Sequence, residues 1–299
     1  MECEAFIGDK LSPNSSIVTL TTDFGLDDPY IGTLKGVILS FNPSAVIVDI
    51  KHSIGPQNIA EAAFVIGNSY RFFPTNTVHV VIVDPTVGSA RRLVILETQN
   101  GTFIAPDNGL LSHVLEDHGK LILIDNDSNV ALPFGCKAYW VNKSEYWLPF
   151  VSSTFHGRDV IAPVAGYLSS GIASLNFGEA INGLHYNPSS KPILGKDCIT
   201  GTIVYSDRFG NLISDIPASL LSSITYPSFQ IGERHITGLY KYYSEGHALI
   251  GLISSFNTLE IAFVNGNASE VIGAKVGDKI VVYSDLKDIN NDDSIKRIY

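Results

Sequence analysis

Two hydrophobic periods alternate along the first half of the chain. Residues 17–22 (Ile-Val-Thr-Leu-Thr-Thr) form a β-branched run that reads as a strand. Asp28 and Pro29 then open an amphipathic stretch over 30–39, with Asp28 as N-cap and Pro29 at the first helical position. Residues 45–50 give a second strand of the buried type. Residues 58–73 repeat apolar side chains at helical spacing (Ile59, Ala62, Ala63, Ile66), and 77–84 give a third strand. A hairpin follows, 93–97 and 102–104, turned at Asn100-Gly101. Residues 110–115 and 160–168 carry further helical signals, with 121–124 a strand between them. This βαβαβ order with short connections predicts an α/β domain over residues 1–188, a mostly parallel sheet covered by helices.

The pattern changes at 186–196, where two prolines and two serines among few core residues mark a linker. Beyond it come short strands at 199–205, 212–216, 235–243, 248–254, 259–264 and 279–283, separated by turn residues. They predict an all-β barrel domain over 189–299. Asn290 to Ser294 reads as a solvated tail turn.

Composition narrows the class. Hydrophobic residues make up 45% of the 299 and charged residues 17%, which excludes general disorder. A chain of this size buries about three quarters of its extended surface, enough for two cores without disulfide or metal staples. Lys+Arg 20 against Asp+Glu 30 gives −10, a poor balance for a phosphate-backbone binder. Cys3, Cys136 and Cys198 are odd in number and widely spaced, so neither a disulfide framework nor a thiolate zinc site is indicated. Met1 to Glu4 has no signal-peptide character, and no apolar run approaches the ~20 residues of a membrane span. The chain reads as a soluble, cytoplasmic protein.

Polar clusters fall where strands end, the usual ligand edge of an open α/β sheet. Thr22 to Asp28 follows the first strand, Asp49 to Ser53 closes the second, and Asp84 to Arg92 follows the third. A fourth cluster, Phe155-His156-Gly157-Arg158-Asp159, precedes a helix. Each has a bland reading: Asp23 and Asp84 as turn starters, Arg92 as a solvated hairpin face, His156 as a helix opener. Convergence of Asp, Arg and His on one edge is what gives them chemistry, since such a set orients and polarises a water. From residues alone the rival is a divalent-metal hydrolase using Asp23, Asp27, Asp28, Asp84, His52 and His156, although no HxH, HExxH or DxD spacing links them. Phosphate-cradling glycine loops and a GxSxG nucleophile motif are absent.

Taken together, Thr22-Asp23-Phe24-Gly25, Val83-Asp84-Pro85-Thr86-Val87-Gly88 with Arg91, Ala105-Pro106-Asp107-Asn108-Gly109 and His156-Gly157-Arg158-Asp159 resemble the S-adenosylmethionine (SAM) hydroxide adenosyltransferases. Asp207-Arg208-Phe209-Gly210-Asn211 and Leu259-Glu260-Ile261-Ala262 carry the likeness into the all-β part. The family is related to the SAM-dependent fluorinase and chlorinase. The resemblance implies hydrolysis of SAM to adenosine and L-methionine by a homotrimer, with substrate between one subunit's α/β domain and its neighbour's barrel. No cofactor or metal is implied; SAM is the substrate. The family's catalytic set falls on Asp84, Arg91 and His156. Asp23 would accept from the ribose hydroxyls and Phe155 would pack at the reacting carbon. Asp207 and Ser255 would hold the methionine end; Phe209, Asn211 and Tyr240 would line the adenine and sugar pocket, with backbone near Asn267 and Ala268 reading the adenine edge.

Departures refine the branch. Halogenases of this group carry Tyr at the position of Asp84 and Tyr-Ser at His156-Gly157. A carboxylate and a glycine in their place favour water over a halide, which puts a halogenase behind a hydrolase. Thr86 stands where the family has glycine, and Asp215 where it has Asn. A non-catalytic SAM or adenosine sensor is the alternative from another class, one that would have no use for the Asp84/Arg91/His156 set. His52 reads as structural.

Overall fold

The structure is a computed structural model and describes residues 17–125, 128–222 and 224–283. Cys3, the Met1–Glu4 stretch and the tail segment at Asn290 lie outside them. The described residues form two compact units that part between Pro188 and Ser189.

The first unit runs β1 (Ile17–Thr22), α1 (Tyr30–Phe41), β2 (Val46–Lys51), α2 (Ile59–Ser69), β3 (Val78–Ile82), β4 (Leu93–Thr98), β5 (Gly101–Pro106), α3 (Ser112–Asp117), β6 (Asn129–Ala131), β7 (Lys137–Trp140), α4 (Ala162–Ser169), β8 (Ala180–Ile181) and β9 (Gly183–His185). Seven strands make one sheet in the order β2-β1-β3-β5-β4-β7-β8. The expected mostly parallel sheet is mixed. β2, β1, β3 and β5 run parallel, but the two-residue hairpin turn before Gly101 reverses β4; β7 then pairs antiparallel with β4, and β8 antiparallel with β7. β2 is an edge strand with none of its residues fully buried, not the buried strand its composition suggested. The core sets Leu20, Val80, Ile95 and Ile104 against Leu34 and Ile38 of α1 and Val164 of α4, all fully buried. Each such side chain contributes about 1.5–3 kcal/mol of transfer free energy.

Two local expectations change. Pro29 itself occupies the N-cap of α1, without a side-chain bond, and Asp28 does not cap. Residues 121–124 form no strand: they meet the β6 segment through single backbone bonds, with Ile122, Leu123 and Ile124 more than half exposed. α4 is preceded by one π-helical turn, Gly157–Ile161, closed by the Ala162 N–H on the Gly157 carbonyl.

The second unit contains β10 (Ile193–Leu194), β11 (Cys198–Ser206), β12 (Leu212–Pro217), α5 (Ala218–Leu221), β13 (Ser228–Ile231), β14 (Arg234–Thr237), β15 (Leu249–Ile253), β16 (Thr258–Phe263), α6 (Ala268–Ile272) and β17 (Lys279–Tyr283). Its sheet follows β14-β13-β17-β11-β12-β16-β15, with β10 flanking β11 and every pair antiparallel. A bridge from Leu239, just past β14, to Gly251 of β15 nearly closes it into a barrel. Phe229, Ile203, Leu259 and Val282 fill the interior. The strand expected over 235–243 ends at Thr237, because Gly238 turns the chain at φ +87° and Glu245 caps the next turn through the Lys241 N–H. β13 was missed. No helix among the described residues is long and apolar enough to cross a membrane.

Candidate functional site

Because β1, β2, β3 and β5 are parallel, their carboxyl ends share one edge, and antiparallel β4 begins there too, Leu93 pairing with Pro106. Asp23 from the connection after β1, and Asp84 and Arg91 from the two ends of the β3–β4 loop, are thereby delivered to one edge. Arg91 Nε donates to Oδ1 and Oδ2 of Asp84, each at 2.7 Å, and Arg91 Nη2 donates to Oδ2 as well. The two side chains are only 8% and 9% exposed, so this bidentate pair is well screened from water. The same Nη2 lies 3.3 Å from Nδ1 of His156. A guanidinium has donors only, so Nδ1 must accept and the ring proton resides on Nε2. Burial pushes the His156 pKa down and the Arg91 charge adds to this, outweighing the opposite pull of Asp84 and Asp159.

The sequence segments around the set explain its order. Gly88 has φ +83°, and a Cβ there would stand 2.8 Å from the Ser153 carbonyl, so glycine lets the 84–91 loop lie against the His156 segment. Asp159, fully buried, accepts from the Ser152 N–H at 2.8 Å, and Ser152 Oγ accepts from the Phe155 N–H at 3.1 Å. Thr86 brings its hydroxyl to 3.4 Å from Asp84 Oδ1. Arg92 is no free surface cation: it pairs with Asp107, whose other oxygen accepts from the His185 N–H at 2.8 Å.

A cavity of ≈410 Å³ opens here, lined by Asp23, Asp84, Phe155 and His156 and by Tyr30 and Gln57, which sequence reading missed. Arg91 stands behind its wall. Phe155 packs edge-to-face on Phe24 and Tyr30 at centroid distances of 5.6 and 5.3 Å. Asp23 Oδ2 accepts from the Gln57 backbone N–H at 2.8 Å. Gln57 itself is left-handed, at φ +63°, and nothing in the sequence announces that its backbone serves the site. His52 is buried away from the cavity, its Nδ1 2.9 Å from Thr22 Oγ1. Among the described residues no group of three or more His, Cys, Asp or Glu is placed to hold a metal ion.

The barrel-like unit has its own cavity of ≈1030 Å³, lined by Asp207, Phe209 and Asn211 with Tyr243 and residues 264–266. Asp207 Oδ1 accepts from the Phe209 and Asn211 N–H groups and Oδ2 from Asn211 Nδ2, all at 2.9 Å, so this carboxylate shapes its own turn. Glu260 is 5% exposed; burial and the Asp207 charge raise its pKa, and its Oε1 accepts from the Tyr243 hydroxyl at 2.7 Å. The other expected contacts are not gathered here. Tyr240 lines a separate cavity of ≈600 Å³. Ser255 lies exposed in the β15–β16 turn, at the far end of that hairpin from Val264. Asn267 and Ala268 also lie off the cavity wall: Asn267 caps α6 through its Oδ1, and Ala268 is fully buried. Asp215 is a brace, accepting from Thr202 N–H at 2.7 Å and Ser190 Oγ at 2.6 Å.

An α/β unit with a carboxylate–guanidinium–imidazole set at its ligand edge, followed by an antiparallel barrel-like unit, defines the class. The model of the SAM hydroxide adenosyltransferase N-terminal domain matches residues 18–178, and that of the corresponding C-terminal domain matches 201–281. The chain belongs to the SAM hydroxide adenosyltransferase family. It is 34% identical to an (R)-S-adenosyl-L-methionine hydrolase of Methanocaldococcus jannaschii, over 89% of this chain and 95% of that one. A fluorinase of an Actinoplanes species is 28% identical over 67% of this chain and 71% of its own. A crystal structure of a conserved protein from Thermotoga maritima superimposes with a TM-score of 0.79 at 32% identity, covering 89% of this chain and 99% of that one.

Proposed function

We propose that the protein hydrolyses S-adenosyl-L-methionine to adenosine and L-methionine. One observation carries the reading: Asp84 and Arg91 of one loop and His156 of a distant segment make a single chain of contacts whose carboxylate and imidazole ends both open on one small cavity. The hydrolase relative from M. jannaschii supports it.

The sulfonium departs as a neutral thioether, so no acid is needed; the difficulty is the weakness of water as a nucleophile. Holding one water in line with the C5′–S bond is worth roughly 7–11 kcal/mol in favourable cases. With Nδ1 committed to Arg91, His156 offers its Nε2–H to the nucleophilic oxygen, and Asp84 is the remaining acceptor for that water's proton. The O–C5′ bond forms as the C5′–S bond breaks, its electron pair going to sulfur; the proton passes to Asp84 and on to solvent.

In this reading Asp23 receives the ribose hydroxyls and Phe155 packs at the reacting carbon. Asp207 and Ser255 take the methionine end, and Phe209, Asn211 and Tyr240 take the adenine and sugar. Backbone near Asn267 and Ala268 reads the adenine edge, next to residues 264–266, which line the barrel cavity. The assembly is a homotrimer acting in the cytoplasm, neighbouring copies sharing each substrate. A halide fits less well: a side chain at Gly157 would begin with a Cβ 3.2 Å from Ile82 Cδ1.

Incubation with SAM in the presence of EDTA, followed by chromatography for adenosine, tests the reaction. Adenosine and methionine in equal amounts are expected. Tight SAM binding without turnover would favour a sensor, activity only after Mn²⁺ or Zn²⁺ addition a metal hydrolase, and 5′-chloro-5′-deoxyadenosine formed with chloride a halogenase.

A further inference from the structure

Glu61 lies in the first turn of α2, outside the cavity, yet its carboxylate collects three donors from the loop that leads there. Oε1 accepts from Lys51 Nζ at 2.7 Å; Oε2 accepts from the Gly55 N–H at 3.0 Å and from Asn58 Nδ2 at 3.2 Å. Asn58 returns the contact, its Oδ1 accepting from the Glu61 N–H at 3.1 Å as the N-cap of α2. Gly55 and Asn58 are therefore pinned to one side chain, and the Asn58 N–H closes the loop on the Gly55 carbonyl at 2.9 Å. Between these pins sits Gln57, in the left-handed conformation at φ +63°, with its N–H on Asp23 Oδ2 at 2.8 Å.

We infer that Glu61 is a positioning residue for Asp23. By clamping both sides of Gln57 it holds a non-glycine residue in the left-handed region, which L side chains rarely adopt, and so keeps one backbone amide on the cavity carboxylate. That amide engages Oδ2; Oδ1 has no hydrogen bond from the described residues and remains the acceptor for a ligand hydroxyl pair. Lys51 balances the charge of Glu61, so the clamp adds no net negative field beside Asp23. The inference rests on Asp23 receiving the ribose, as proposed above, and it assigns the orientation of that carboxylate to a side chain that never touches substrate.

The test compares adenosine with 2′,3′-dideoxyadenosine, which lacks the hydroxyl pair, by titration calorimetry on the full-length protein. The wild type should prefer adenosine. Glu61→Ala should weaken adenosine about tenfold, the scale of a hydrogen bond to a charged group, while leaving dideoxyadenosine unchanged. Glu61→Gln, which keeps one carbonyl acceptor for Gly55, should lose about threefold and so carries the test if Glu61→Ala fails to fold. With SAM, KM should rise and kcat should hold. Equal weakening of both nucleosides would make Glu61 merely structural, and an undiminished preference in the variant that folds would overturn the clamp. A wild type with no preference would overturn the Asp23 reading instead, and the inference with it.

Discussion

The α/β unit and the barrel-like unit face the same task, gathering polar side chains into a cavity, with opposite strand geometry. In the first, four parallel strands end at one edge, so Asp23, Asp84 and the residues before β4 arrive together whatever their spacing in sequence. In the second, every strand pair is antiparallel, so the connections are divided between the two ends of the sheet. Asp207, Tyr243 and residues 264–266 come from connections at one end; the turn bearing Ser255 lies at the other. Parallel pairing makes a site from scattered motifs almost automatically, whereas antiparallel pairing divides the same number of motifs between two rims.

The sharpest way to break this contrast is at the parallel edge. Asp84→Ala should lower turnover by about three orders of magnitude, the scale of a lost general base, with SAM affinity nearly unchanged. Chromatographic rates paired with calorimetric binding check both halves. On the barrel side, Asn211→Ala should weaken adenosine about tenfold with kcat preserved, because it removes a cavity-wall donor that also steadies Asp207. A kcat loss as large as that of Asp84→Ala would erase the division of labour. Ser255→Ala should raise the KM for SAM about threefold with kcat unchanged, the scale of one neutral hydrogen bond to the methionine end.

The pH profile sharpens the same point. His156 is held below its ordinary pKa by burial and then by Arg91, so the neutral ring persists to lower pH than a free histidine would allow. The acid limb of kcat/KM should therefore fall below pH 6.5, activity being lost as pH drops through the lowered value. Stability moves with the same sign, since the unfolded chain takes up this proton first; thermal melts across that range should show it. An acid limb above pH 6.5 would mean that the ring is not held neutral by Arg91.

Legibility in the sequence followed the same division. The βαβ order, the hairpin and the Asp84/Arg91/His156 set were readable because strand-end motifs need no register to converge. The mixed character of the sheet was not, since reversal depends on how one short turn docks β4 beside β5. In the barrel, Asp207, Phe209 and Asn211 share a single turn and were found together. The strand expected over 235–243 breaks at Gly238, which sets Tyr240 apart from it, and the Asn267 side chain caps a helix, a role that no spacing in the sequence announces. Gln57 and Glu61 were invisible for another reason: one acts through its backbone and the other through a loop, and neither leaves a spacing signature.

The π-helical turn before α4 bears on how this chain tolerates change. It holds one residue more than a regular helix would need in the same rise. Losing a single codon anywhere in 157–161 would let the α-helix run straight through, and each residue of an α-helix advances the direction of its side chains by about 100°. His156 would then swing off Arg91 while every buried contact of α4 stayed in place. An insertion or deletion there is a route by which descendants of this scaffold could keep the fold and abandon the chemistry in one step.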